Sequence, residues 1–478
     1  MVFSSLLFVF FFLSIHLVVY HLVDEKHQNM VLLISSLIFY SWGGPKYLLL
    51  LLGETLIAWL FAIQIENFDP ETRSGQKTRK LCAWAGSLLL LSLLGIFKYL
   101  GFFCDIFDFV IPSLKDVPRL VLPIGISFYT FQLISYVVDV YRGEVEAQQH
   151  YWKLLLYSSL FHQCIAGPIV RYETVANEID HRSVSKNDFY IGVRRFSGGL
   201  AKKAILANGC ASVADTLIPA GVDKIAGQPA LALWIGMVFY MLQIYLDFSA
   251  YSDMAIGMGR MVGFHYMENF NYPYIASSVQ DFWRRWHISL STFFRDYVYI
   301  PLGGSRCSQA KYIRNMFAVW FLTGMWHGAS WNYIFWGLYY LAFLLLEKFV
   351  ISKKNLPGVV SHLYTLFVVY IGWIFFKFPD GGELLAVFKG MIGLGGGFYG
   401  KTVGTLFMAN IFLLIFCMIA CTPLGKNLRK ALLNAGKTNA VIFTIVNITD
   451  MLTPAILLML SLFALVGASY NPFLYFQF

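Results

Sequence analysis

The sequence predicts an all-α polytopic membrane protein, and three observations carry that prediction. Of 478 residues, 58% are hydrophobic and only 13% charged, where a soluble domain carries about a quarter charged residues. Apolar runs near 20 residues long, the length that crosses about 30 Å of hydrocarbon as a helix, recur along the chain. Lys and Arg gather in short segments between those runs, as the positive-inside bias places them.

Taken in order, the runs fall at 3–23, 30–42, 47–65, 81–103, 120–141 and 151–170, then at 230–246, 249–264, 316–326, 331–349, 358–377, 403–421 and 451–469. The first lacks the basic leader and small-residue cleavage site of a signal peptide, so it is expected to be a retained span. Gly43-Gly44-Pro45 forces a turn after the second. Several later runs are too short or too polar for simple spans, which predicts re-entrant or interfacial helices enclosed by protein. About eleven true spans are expected. The basic residues Arg73, Lys77, Arg79 and Lys80, and later Lys426, Arg429, Lys430 and Lys437, place two loops in the cytoplasm. Counting outward from them puts both termini outside, with the topology of 171–315 left open. One integral-membrane domain over 1–478 is expected, its chemistry concentrated in 120–350.

A net charge of +9 spread over topogenic loops makes no nucleic-acid surface, although a basic cytoplasmic face suits an acidic partner or anionic lipid. The seven cysteines are scattered, without a C-x-x-C pair, so neither a disulfide framework nor a zinc site is indicated. Cys417 and Cys421 share a helix face but have no nearby His or acid, and read as apolar filler. Gly395, Gly397 and Gly400 spell G-x-G-x-x-G without the strand and βαβ unit that dinucleotide binding needs, so a loop is expected there. The abundant aromatic residues suit membrane interfaces, which makes lipid contact the default for any one of them.

Ionisable groups in apolar surroundings are costly and are functional candidates by default. Five histidines, His16, His162, His287, His327 and His362, lie in apolar segments. His16 and His362 stand alone in ordinary runs, where one polar contact would satisfy each; His162, before Gly167-Pro168, is a better candidate for the wall of a site. His327 sits in Thr323-Gly-Met-Trp-His-Gly-Ala-Ser-Trp-Asn332, where Gly324 and Gly328 permit close backbone approach and Trp326 and Asn332 are candidate supporting residues. A neutral imidazole in an enclosed pocket can take a proton from a hydroxyl because its pKa lies near working pH. His287 sits in Asp281-Phe-Trp-Arg-Arg-Trp-His-Ile-Ser-Leu-Ser291, read as one helix with Trp283, Trp286, Leu290, Phe293 and Tyr297 as its apolar stripe. Arg284, His287 and Ser291 then share another face. An interfacial amphipathic helix is the plain reading, and it leaves His287 unexplained. Asp247 and Asp253, six residues apart on one helix, point to different faces; hydrogen bonding to nearby Arg is preferred to paired acid and base work. Asp253 is kept as a supporting residue.

Phe282 to Gly304 followed by Met325-Trp-His327-Gly328 closely resembles the membrane-bound O-acyltransferase family. Supporting stretches are Leu122 to Gln132, Gly167-Pro-Ile-Val-Arg171, Tyr245 to Gly257 and the closing Asn471 to Phe478. They span most of the chain and match the bacterial alginate O-acetyltransferase branch best. The resemblance implies helices ringing a thin centre, with a tunnel joining a cytoplasmic donor to an outside acceptor. It makes His327 catalytic and His287 its support. It implies an acyl group, read as acetyl, moving from a thioester such as acetyl-CoA or an acyl carrier protein toward an exported polysaccharide such as alginate, directly or through periplasmic or extracellular relay proteins. The acyl donor is then a co-substrate and no bound cofactor is expected; the setting implied is a bacterial inner membrane. D-alanyl transfer from a carrier protein to teichoic acid is the rival within the class, and a secondary transporter the rival outside it, although transporters usually show repeated halves and none is visible.

Overall fold

A computed structural model of the chain describes residues 2–164, 167–351 and 357–466, and every regular element among them is helical. The closing Asn471 to Phe478 motif lies outside the described residues. Among the described residues, five helices are long and apolar enough to cross a membrane: Pro45–Asn67, Arg73–Phe107, Ala230–Met261, Gly358–Lys377 and Ala440–Val466. A sixth arises if Lys401–Ala409 and Ile411–Ala420, bent by 56°, make one broken span. The multi-pass membrane class therefore stands, while the count of eleven has no such support.

The differences from the expected spans have local causes. The runs 230–246 and 249–264 are one helix, Ala230–Met261; Asp247 and Asp253 interrupt the hydropathy without interrupting the hydrogen bonds. The 151–170 run breaks at Leu160 into Tyr151–Ser159 and Phe161–Cys164. The short run 316–326 is the end of a 19-residue helix, Gln309–His327, whose first turns carry Lys311 and Arg314. At 1.5 Å per residue that helix is about 28 Å long, close to the ~30 Å of a hydrocarbon core. The Gly393–Gly400 segment is a loop. Its Gly397 and Phe398 carbonyls accept from Ala230 N and Leu231 N at 2.9 and 3.1 Å, satisfying amide groups that a helix start leaves open.

The chain divides into two compact units. In the first, Met1–Phe196 with Met254–Met267, His162 Nδ1 lies 2.7 Å from the Tyr266 hydroxyl and His16 Nδ1 2.9 Å from Ser35 Oγ. The second, Ser197–Asp253 with Glu268–Phe478, contains both motif histidines. There Lys203 and Lys202 meet Asp247 and Asp253 at 2.8 and 2.6 Å. The two carboxylates do point to separate partners, as their spacing required, but those partners are lysines rather than arginines. They sit on a six-residue π-helical turn, Lys202–Ala207, whose wider winding is common at functional or strained positions.

Candidate active site

His287 lies at a break that the sequence does not announce with Gly or Pro. Val279–Arg285 ends, Ile288–Phe294 begins, and His287 between them adopts φ 44° and ψ 56°. The expected single helix is therefore two short ones. A non-Gly residue in the left-handed region costs on the order of 1–3 kcal/mol and persists only where its surroundings impose it. Here the surroundings are specific. Ser278 Oγ accepts from Asp281 N at 3.0 Å, and the buried Glu347 carboxylate accepts from Val279 N and Gln280 N at 2.6 and 3.0 Å. A carboxylate at a helix N-terminus complements both the open amides and the dipole. Arg285 Nε reaches both Asp281 oxygens at 3.0 Å. Ser291 Oγ turns back to the Trp283 and Trp286 carbonyls at 3.3 and 3.5 Å, so its hydroxyl serves the broken helix end. Asn269 completes the cradle: its carbonyl accepts from Ile288 N at 2.9 Å and its side chain meets His287 and Ser289.

His327 is the last residue of Gln309–His327. That helix approaches Trp331–Phe349 closely enough that a Cβ on Gly324 would sit 2.5 Å from the Tyr333 carbonyl oxygen, and one on Gly337 2.4 Å from that of Trp320. Close approach at Gly324 is thus the use its position suggested. The His327 ring is 6% exposed and meets Trp336 and Phe376 edge to face, with centroids 4.8 and 5.2 Å away. Trp326 touches both imidazoles, 5.0 Å from His327 and 5.7 Å from His287 between centroids.

Both histidines line one cavity of about 950 Å³, at the upper end of ordinary small-ligand sites. Arg284 and Ser291 line it as well. Asn332 is buried and donates to the Phe375 carbonyl at 3.2 Å, and Asp253 is paired with Lys202; neither is among the lining residues described. His162 is not among them, and His362 Nδ1 instead lies 3.0 Å from the Ala276 carbonyl oxygen. Among the described residues, the cations on the wall are Arg284, Arg295 and Lys348, the last over the Tyr312 ring at 3.9 Å. Arg306, Lys311 and Arg314 are not among the lining residues described, and Arg314 is held by the Leu302 carbonyl and Asn315. Trp283, Trp286 and Trp320 belong to this wall too, with Trp283 and Trp320 centroids 5.0 Å apart. Of the expected apolar stripe, Trp283, Trp286 and Leu290 line the cavity, and Phe293 and Tyr297 are not among the lining residues described. Sequence reasoning missed Asn269 and Glu347; a polar residue just before the Asn271-Tyr-Pro273 turn and a lone acid near the end of an apolar run were the available signals.

The sequence pattern of the membrane-bound O-acyltransferase family matches residues 147–376. The whole chain is 36% identical to the whole of a probable alginate O-acetylase of Pseudomonas aeruginosa. The chain belongs to the membrane-bound O-acyltransferase family. A peptidoglycan O-acetyltransferase of Helicobacter pylori is 33% identical over 83% of this chain and 80% of its own length. A teichoic acid D-alanyltransferase of Bacillus subtilis is more distant, 28% identical over 53% of this chain and 68% of its own. Membership makes the protein a membrane-embedded acyltransferase and sets the transporter reading aside.

Proposed function

We propose that this O-acyltransferase moves an acetyl group from a cytoplasmic thioester toward hydroxyls of an exported polysaccharide, of which alginate is the example its relatives suggest. The observation that carries the reading is the single cavity lined by His287 and His327 in a chain matched end to end by a probable alginate O-acetylase. In the reaction the hydroxyl oxygen bonds to the thioester carbonyl carbon and the C–S bond breaks. His327, as general base, takes the hydroxyl proton and returns it to the departing sulfur, a service worth roughly 10²- to 10⁴-fold. His287 either orients substrate or stabilises the developing oxyanion. Arg284 offers a cation to an anionic part of the donor, and Trp326 holds the two imidazoles in one aromatic frame. Full-length coverage and higher identity favour acetyl over D-alanyl transfer.

The donor, acetyl-CoA or a carrier protein, is too large and charged to cross, so only its reactive end enters from the cytoplasm, while the polysaccharide or a relay protein meets it from the other face. The inner membrane is the setting, with both termini outside. Two ends on one face require an even number of crossings, so that placement excludes a count of eleven. To test the reading, the protein is reconstituted in one orientation, with radiolabelled acetyl-CoA on one face and deacetylated alginate oligosaccharide on the same or the opposite face. Transfer across the bilayer supports it. Transfer that succeeds only when both substrates share a face defeats it.

A further inference from the structure

We infer that Asn269 is a positioning residue: it locks His287 in the tautomer that carries hydrogen on Nδ1, so that Nε2 presents a lone pair to the cavity and accepts a hydrogen bond from a substrate O–H or N–H group. The inference rests on the acyl-transfer reading for its consequence, but its geometry stands alone. The backbone N–H of Ser289 points at one atom of the Asn269 amide at 3.2 Å. A backbone amide can only donate, so that atom is the carbonyl oxygen Oδ1 and the amide's orientation is fixed. The other end, Nδ2, donates to Ser252 Oγ at 3.2 Å, consistent with the same assignment. The Ser289 hydroxyl gives its one hydrogen to Oδ1 at 2.9 Å.

His287 Nδ1 lies 3.2 Å from this same Oδ1. Were Nδ1 bare, its lone pair would face the lone pairs of a carbonyl oxygen, and the nearest hydroxyl hydrogen, on Ser289 at 3.4 Å, is already committed to the shorter bond. Nδ1 must therefore carry the hydrogen, and in a neutral imidazole Nε2 is then the acceptor. That Nε2 is buried and has no hydrogen-bond partner among the described residues, although the ring lines the cavity. An unmet acceptor in an enclosed site costs free energy until something donates to it. The left-handed backbone of His287, held by Asn269 O to Ile288 N at 2.9 Å, keeps the ring in this pose. Neutral His287 thus cannot stabilise an oxyanion through Nε2, which leaves the orienting role: it grips either the attacking hydroxyl or an amide N–H on the donor arm.

The test uses the full-length protein in lipid nanodiscs. Nitrogen-15 NMR of histidine-labelled protein, with His287→Gln used to assign the resonance, separates bare from protonated ring nitrogens without any need for turnover. A protonated Nδ1 and bare Nε2 at neutral pH are expected; the reverse overturns the inference. In the activity arm, with acetyl-CoA and deacetylated alginate oligosaccharide, Asn269→Asp keeps the acceptor and adds a negative charge, which favours the imidazolium. The acid limb of its pH profile should therefore move to higher pH, and an unmoved limb counts against the inference. Asn269→Leu should cost roughly tenfold in kcat/KM. A rise in the acceptor KM alone identifies the gripped group as O–H, a rise in the donor KM alone as N–H, and no change in either overturns the proposal. Wild-type protein that transfers no acetyl group at all sinks the acyl-transfer reading while the NMR arm still decides the tautomer.

Discussion

Two regions of the molecule bury a pair of histidines, and they differ in what the rings face. In the unit made of Met1–Phe196 and Met254–Met267, His16 and His162 are 3% and 0% exposed, and both pack edge to face on Phe161 with centroids 5.0 Å away. Each spends Nδ1 on a hydroxyl, from Ser35 and Tyr266 respectively. His287 and His327 in the other unit are buried too, yet they line a cavity of about 950 Å³ together with two arginines and hydroxyl side chains. Burial and an apolar sequence context are shared by all four, so neither marks a reacting group. Room for a substrate is what sets His287 and His327 apart.

Removing a proton acceptor from the cavity pair should have the largest effect. His327→Ala is expected to lower turnover by roughly 10²- to 10⁴-fold while the protein is purified at normal yield; full turnover in a well-folded variant would make His327 structural. The next effect should fall on stability within the same unit, separating charge that holds the fold from charge that serves the site. Lys203 and Asp247 are 3% and 2% exposed in their side chains, and removing one partner of such a buried pair costs about 3–5 kcal/mol. Lys203→Met should therefore lower the thermal midpoint sharply, and Lys203→Met with Asp247→Leu should recover much of it. A double variant no better than the single one would show that the lysine acts otherwise. His287→Ala should lose most activity with little change in yield, since its ring nitrogen Nε2 has no hydrogen-bond partner among the described residues. In the contrasting region, His162→Phe should leave the turnover of folded protein unchanged and cost about 1–3 kcal/mol, because the buried Tyr266 hydroxyl loses its partner. Loss of transfer at full stability would erase the distinction between the two pairs.

Much of this contrast was legible in the sequence. Composition and run length gave the membrane class, and the two separated histidine motifs brought His287, His327, Arg284 and Ser291 to one cavity even though the helix joining three of them is broken. The break itself was hidden: His287 takes a left-handed backbone with no Gly or Pro beside it, and what imposes it, Asn269 and Glu347, lies 18 and 60 residues away in the chain. Long-range contacts of this kind leave no periodicity to read. Span boundaries failed where charge sat inside helices, as Lys311 and Arg314 do in Gln309–His327 and Asp247 and Asp253 do in Ala230–Met261. Partners such as Lys202 and Lys203 were missed because their π-helical turn has no sequence signature of its own.

The central claim, that acyl transfer takes place in the cavity shared by His287 and His327, is tested most directly by cross-linking. An acyl-thioester analogue of acetyl-CoA with a photoreactive acyl chain is irradiated with the reconstituted protein, and the labelled peptides are sequenced by mass spectrometry. Label should fall within 277–364, at residues lining the cavity, and should be competed away by acetyl-CoA. Competable label around 157–164, beside His162, would contradict the account.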